Sequence, residues 1–370
     1  MSGNVALQGA DSIIRIRFEH TRYPHWGARS GYTQFIQHLT SQHFRTMLHG
    51  ASSADSVWLR PLLRRFIRRR GVPRYNLSDL KAEVLALAAC IAGRTDIVHF
   101  LEGDNSPFFL PRLVRLARLS KIRTVVTFHQ PPKIECELVN EDVLRSVDQV
   151  VLVSPSQLPF FLRFVPEERL HVILHGVDIE FFRPPEVREE TGGFRCLTVG
   201  HWLREWNVLR QIVASSPDIK FDVVTGAETG LNGLANVNIY RDIDDLTLAE
   251  LYRSVDVLLL PLSDSTANNA LLEGMASGLP VVTTDLPAVR TYLQDSGGLL
   301  IPNNSVEGFV AALRSLRQDL RLRHAMGGSA RTRAEELAWP RLVPKYEALY
   351  RKALADAPFK PGRNRLGEHR

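Results

Sequence analysis

The strongest constraint in the chain is a series of short apolar stretches rich in β-branched residues, each followed by a stretch of helical character. They read SIIRIRF, DIVHFLE, TVVTFH, QVVLVS, HVILHG, FRCLTVG, FDVVTG, VNIYRD, VDVLLLPL, LPVVTTD and GGLLIP. Their apolar residues are consecutive rather than alternating, which predicts strands covered on both faces. Strands interleaved with helices require right-handed crossovers and hence parallel sheets. Eleven strands are too many for one compact sheet of this kind, so the pattern predicts an α/β protein with two sheets. The break between them falls in DIEFFRPPEVREETGGF, residues 178–194, where prolines, charges and a glycine pair interrupt the pattern. The final stretch APFKPGRNRLGEHR is polar, lacks periodicity and is expected to be mobile.

A length of 370 residues accommodates two such units. Apolar residues make up 44% and charged residues 23%, as in soluble globular proteins, and a net charge of +6 allows a basic patch. Cys90, Cys136 and Cys196 are far apart and match no metal or disulfide pattern; they are expected to be buried thiols in a reducing compartment. The first residues lack the apolar core of a signal peptide, and no apolar run reaches the roughly 18 residues of a membrane span. The expectation is a cytoplasmic protein.

The stretch STANNALLEGMASGLPVVTTD, residues 265–285, carries the chemistry. It follows the buried strand VDVLLLPL and predicts a loop, a helix starting near Asn268, a stop at Gly278-Leu279-Pro280 and another buried strand. A loop leaving the carboxyl end of a parallel strand is where open α/β sheets bind ligands. The free N–H groups of the helix start suit a diphosphate or sugar hydroxyls. Asn268 and Asn269 can cap the helix or donate to a ligand. Glu273 can accept two hydrogen bonds from a vicinal diol such as a ribose, or can simply be solvated or paired.

LLEGMASGLPVVTTDLPAV resembles the donor-site signature of the retaining glycosyltransferases of family 4 (glycosyltransferase group 1). Other segments resemble that family in the same order: the glycine-rich loop GARSGYTQFI (27–36), the strand-end histidine motif VVTFHQP (125–131), the link HVILHGVDIEFFRP (171–184), the first donor-side strand and phosphate loop FRCLTVGHWLREW (194–206), and the helix WPRLVPKYEALYRKAL (339–354). The resemblance implies the GT-B fold: two Rossmann-like domains whose parallel sheets face a cleft. The units expected are an acceptor-binding domain over 1–185, a nucleotide-sugar donor domain over 186–338, a helix over 339–357 crossing back to the first domain, and a tail over 358–370.

It also implies transfer from a UDP- or GDP-sugar to an acceptor hydroxyl, without a bound metal or other cofactor. Glu273 would hold the ribose and His129 the sugar or the acceptor. Gly27 and Gly31 would let the backbone approach the phosphates or sugar, and residues 239–243 would cradle the base. The sequence departs from the family twice. A first glutamate, separated from the second by seven intervening residues, would fall at Ser265; Asp264 is adjacent, and Asn268 and Asn269 can replace the missing carboxylate. The family's diphosphate-binding Arg and Lys would fall at His201 and Trp206, which leaves Arg204 as the candidate cation, or as a surface residue opening the next helix. Trp206 reads as packing.

The segment WLRPLLRRFIRRRGVPRYNLSDLKAE, residues 58–83, carries seven arginines, with Leu59, Leu62, Leu63, Phe66 and Ile67 on one helical face. Four readings fit. It can pack on the first domain, lie on an anionic membrane at the inner face through Arg64, Arg65, Arg68 and Arg69, form an anionic acceptor site, or bind nucleic acid. Nothing else resembles a nucleic-acid module, and the expectation is no nucleic-acid partner. The acceptor is left open between a lipid-linked molecule, a saccharide and a small molecule. Rival functions are a non-catalytic scaffold of the same fold and a nucleotide-sugar epimerase. A nicotinamide dehydrogenase lacks support, because the first strand is followed by EHTRYPHWGARSG rather than a Gly-X-Gly-X-X-Gly turn.

Overall fold

In the computed structural model, residues 13–22, 29–52, 75, 77–116, 119, 121–187, 193–294 and 297–356 are described. The basic segment around Arg64, Arg65, Arg68 and Arg69, and Gly27, lie outside these residues.

The apolar runs form two six-stranded sheets. The first holds β1 (Ile14–Arg22), β2 (Phe44–Ser52), β3 (Ile97–Phe100), β4 (Arg123–Phe128), β5 (Gln149–Leu152) and β6 (Leu170–Val172), in the order β2-β1-β3-β4-β5-β6. The second holds β7 (Arg195–Val199), β8 (Lys220–Val224), β9 (Val237–Tyr240), β10 (Val257–Leu260), β11 (Val281–Thr284) and β12 (Gly298–Ile301), in the order β12-β11-β10-β7-β8-β9. Every pairing is parallel. Strands β3, β4, β5, β10 and β11 are buried along their whole length, as continuous apolarity requires.

Two expectations need correction. The strand pattern omitted β2, whose sequence FRTMLHGAS mixes polar, apolar and glycine residues. It is an edge strand, paired with β1 alone, and leaves Met47 58% exposed, so it never had to read as a buried run. Of the cysteines, Cys90 and Cys196 are buried, but Cys136 is exposed.

In each sheet the strand order reverses at the first strand. The reversal lies between β1 and β3 in the first sheet and between β7 and β10 in the second. Loops leaving the carboxyl ends of strands at such points diverge and open a crevice. The helix Trp339–Ala355 then returns to the first sheet. Its Trp339, Tyr346 and Tyr350 join the core of Ile16, Phe18, Phe35 and Val125. Phe35 stacks on Tyr346 with centroids 4.3 Å apart. Buried His99 bonds Tyr350 Oη at 2.8 Å through Nδ1 and Thr127 Oγ1 at 2.8 Å through Nε2. At the crossing, a Cβ on Gly176 would come within 2.5 Å of the Trp339 ring, so close packing there requires glycine.

Among the described residues, no helix is long and apolar enough to cross a membrane.

Candidate functional site

The helix Asn269–Ala276 begins at the reversal point of the second sheet, after β10 and the loop 261–268. Asn268 caps it: its Oδ1 accepts the N–H of Leu271 at 3.3 Å. The first backbone bond of the helix runs from Leu272 N–H to Asn268 O. The N–H groups of Asn269 and Ala270 therefore precede the bonded ladder, and Asn269 lines the crevice. The helix stops at Gly278, whose φ is +70°, ahead of Pro280.

Glu273 is 4% exposed. Its Oε1 accepts the Ser30 hydroxyl at 2.6 Å and its Oε2 the Tyr252 hydroxyl at 2.9 Å. Burial holds the carboxyl above its ordinary range. The Ser30 and Tyr252 hydroxyls and the charge of Arg204 oppose this, and the charge of Asp245 adds to it. Ser30 belongs to the loop after β1, so this bond joins the two lobes. Gly31 beside it has φ +93°, and a Cβ there would lie 4.0 Å from Asn269 Nδ2. The glycine-rich loop thus abuts the start of the helix Asn269–Ala276. The crevice between them has an empty volume of about 190 Å³ and is lined by Arg29, Ser30, Gly31, Asp178, Asn269 and Glu273, among others.

Further bonds close the mouth. The Thr266 hydroxyl donates to the His129 carbonyl. Trp202 Nε1–H donates to Gln130 Oε1 at 2.9 Å, and Arg29 N–H to Asp245 Oδ2 at 3.0 Å. Ser265 is buried; its N–H is taken by Asp264 Oδ1 at 2.7 Å and its hydroxyl donates to the Thr266 carbonyl at 3.3 Å. Asp264 and Ser265 are therefore engaged within their own loop. His201 is exposed at the start of the loop after β7.

His129 follows β4, at the carboxyl edge of the first sheet. Its Nε2 bonds the Leu101 carbonyl at 2.7 Å, and its ring stacks on Tyr32 with centroids 3.9 Å apart. Since a carbonyl only accepts, Nε2 carries the proton and Nδ1 is left as the acceptor nitrogen. Burial, with a smaller push from neighbouring histidines, lowers its pKa to about 3, so the ring is neutral at pH 7. The Tyr32 hydroxyl donates to Glu102 Oε1 at 2.7 Å, and Glu102 is 2% exposed. A buried carboxylate, a tyrosine and a neutral histidine thus back the first-lobe wall.

Arg204 differs from the role its position suggested. Its guanidinium turns into its own loop: Nε and Nη2 donate to the Val199 carbonyl at 3.0 and 2.6 Å, and Nη1 to the Trp202 carbonyl at 3.0 Å. A weaker contact reaches Asn268 Oδ1 at 3.4 Å. Gly200, with φ +94°, makes room for it; a Cβ there would sit 2.9 Å from Nη2. Burial lowers the Arg204 pKa only to about 10, so it stays charged, and its field falls on Glu273. It fixes the backbone of the loop after β7 rather than projecting into the crevice. Trp206 opens the helix Trp206–Ala214 and packs on the second core.

The structure therefore gathers Gly31, Asn269 and Glu273 at one crevice; Asn268 caps the helix there, Asp264 and Ser265 lie in the loop before it, Arg204 reaches Asn268 and His129 meets Thr266 of that loop. Sequence reasoning missed Arg29, Ser30, Tyr32, Glu102, Tyr252 and Thr266. Arg29, Ser30 and Tyr32 lie inside the glycine-rich segment, where that motif could have drawn attention to them. Tyr252 and Glu102 gave no local signal, because only folding brings them to the site. Among the described residues no group of three or more His, Cys, Asp or Glu side chains is arranged to hold a metal ion.

Known proteins share this architecture. Sucrose-phosphate synthase from Thermosynechococcus elongatus superposes with a TM-score of 0.70 at 16% identity, over 92% of this chain and 99% of its own. Anabaena Alr3699/HepE in complex with UDP-glucose superposes with a TM-score of 0.64 at 15% identity, over 92% and 99%. These likenesses show the GT-B fold. In sequence, the D-inositol 3-phosphate glycosyltransferase of Kineococcus radiotolerans is 32% identical over 124 residues, 31% of this chain and 28% of that protein. Across the first curated relatives the matched stretches span 28% to 63% of the relative's length. Residues 197–319, which hold Arg204, the loop 261–268 and Glu273, match the family described as Glycosyl transferases group 1.

Proposed function

We propose that this protein is a glycosyltransferase that moves a sugar from a nucleotide-diphosphate donor to an acceptor hydroxyl with retention at the anomeric carbon. One observation carries the reading: the start of helix Asn269–Ala276, with buried Glu273 behind it, faces the glycine-rich loop of the other lobe across a crevice at the sheet's reversal point. The helix-start N–H groups donate to the diphosphate oxygens, and Glu273 exchanges the Ser30 hydroxyl for the ribose diol. The match of residues 197–319 to a glycosyltransferase family supports this, as does the likeness to a fold neighbour solved with UDP-glucose.

The acceptor oxygen bonds the anomeric carbon as the bond from that carbon to the diphosphate breaks, and the acceptor's proton leaves with the diphosphate. What the protein must stabilise is charge growing on the leaving oxygen, which is work for N–H groups and cations at the helix start. No resident cofactor or metal is invoked for this. Within its empty volume the crevice encloses only about 10 Å³, far below the roughly 300 Å³ of small-molecule sites, so donor entry requires the lobes to part. The bonds Ser30–Glu273, Trp202–Gln130, Thr266–His129 and Arg29–Asp245 are among those that must open. The acceptor is a lipid-linked, saccharide or small-molecule alcohol that reaches the His129 wall. The basic sequence at 58–74 supports docking at an anionic membrane surface on the cytoplasmic side; vesicle co-sedimentation at low salt tests that part.

The test is a thermal-shift screen of UDP- and GDP-sugars followed by product analysis. A donor present at 100 times its Kd adds about 2.7 kcal/mol of stability. Glu273→Ala should abolish that gain and turnover together. A parent protein that no nucleotide sugar stabilises, or a Glu273→Ala variant that turns over normally, refutes the reading.

A further inference from the structure

The second lobe offers the diphosphate little positive charge from its own side chains. Arg204 points into its loop and serves the carbonyls of Val199 and Trp202, and Trp206 packs on the core. The crevice has one cationic side chain among its described lining residues, and it comes from the opposite lobe: Arg29. Its backbone N–H is held by Asp245, which fixes where the residue starts. Its side chain is 53% exposed, with Nη1 at 3.9 Å from Asp178 Oδ2 and the guanidinium 5.3 Å from the Phe181 ring centroid. A contact at 3.9 Å is the outer edge of an ion pair, so the group is held loosely and can be recruited. Gly31, two residues on, abuts Asn269 at the helix start. Arg29 and Asn269 at the helix start therefore border one space.

We propose that Arg29 grips the diphosphate of the bound nucleotide, supplying from the first lobe the charge that the second lobe lacks. This rests on the glycosyltransferase reading above and deepens it. A planar guanidinium can take two phosphate oxygens at once while the helix start takes others. Because the two sets of donors belong to different lobes, the diphosphate itself ties the lobes together. Binding of the substrate and assembly of the site become one event, and release of the diphosphate loosens both.

The experiment is calorimetry of the full chain with UDP, GDP, ADP and dTDP, and with the matching nucleosides. Arg29→Gln should weaken the preferred diphosphate by about ten-fold or more, the range of a charged hydrogen bond, and leave the nucleoside unaffected. Asp178→Asn removes only the competing carboxylate and should bind the diphosphate as well as the parent or better. Arg145→Gln makes the same charge change at a remote exposed pair with Glu141 and should bind as the parent does. Arg29→Gln binding within two-fold of the parent overturns the proposal while leaving the glycosyltransferase reading standing. Arg29→Gln and Asp178→Asn losing affinity and thermal stability alike would make the contact a structural ion pair and also overturn it. A parent that binds none of the four diphosphates overturns both.

Discussion

Replacing His99 by glutamine should make the protein less sensitive to acid, by an amount the structure sets. His99 lies at the centre of the first sheet, fully buried, bonded on one side to Thr127 and on the other to Tyr350 of the returning helix. Burial lowers its pKa from the ordinary 6.5 to about 3. The folded protein keeps this ring neutral while the unfolded chain binds a proton, so its contribution is fully present above pH 6.5. It is lost as pH falls from 6.5 towards 3, by roughly 1.4 kcal/mol per pH unit, and levels off below 3. Between pH 7.5 and 5.5 the loss from this one group comes to about 1.4 kcal/mol. A glutamine can keep both hydrogen bonds and cannot titrate. Glu19, which burial holds up at about 7, works in the opposite sense, so the informative quantity is the difference between variant and parent. Urea unfolding of both proteins at pH 7.5 and 5.5 measures it. The variant should lose about 1.4 kcal/mol less than the parent over that interval, whatever its absolute stability. Equal losses, or an imidazole resonance of His99 titrating near 6.5 in the folded protein, would refute the argument.

The remaining expectations concern the site and the crossing. Tyr252→Phe removes one of the two hydroxyls on the buried Glu273 carboxylate and should cost about 1–3 kcal/mol in urea unfolding. Arg204→Lys keeps the charge but loses the fork that holds the Val199 and Trp202 carbonyls; amide exchange in residues 200–205 should speed up, and exchange as slow as the parent's would contradict the assignment. Gly176→Ala pushes a methyl onto the Trp339 ring and should destabilise by about 1–3 kcal/mol, with the loss visible as altered tryptophan fluorescence. Ser30→Ala frees Glu273 from its bond across the crevice, so small-angle scattering should report a larger fraction of separated lobes.

What could be read in advance follows from where each signal resides. Strands such as VVTF and VLLL are buried on both faces and carry that in their composition; β2 sits at an edge, so its composition is mixed and it escaped notice. The cap at Asn268 and the stop around Gly278 are local events, and the helix between them was legible to within about two residues at its ends. Arg204 was visible as a cation in the right loop, but whether a guanidinium faces a crevice or its own backbone depends on a turn, here one with Gly200 and Leu203 both at positive φ. Ser30 and Tyr252 meet Glu273 across 243 and 21 residues of sequence, and no pattern at a single place could announce that meeting.

The His99–Tyr350 bond joins residues 251 positions apart. A ribosome making this protein therefore emits the entire first sheet long before the aromatic side chains that seal it. Until synthesis has passed Ala355, one face of that sheet stays bare, with Phe18, Phe35 and Val125 awaiting Trp339, Tyr346 and Tyr350. A stop codon shortly before residue 339 would thus injure chiefly the half of the protein that had been translated first.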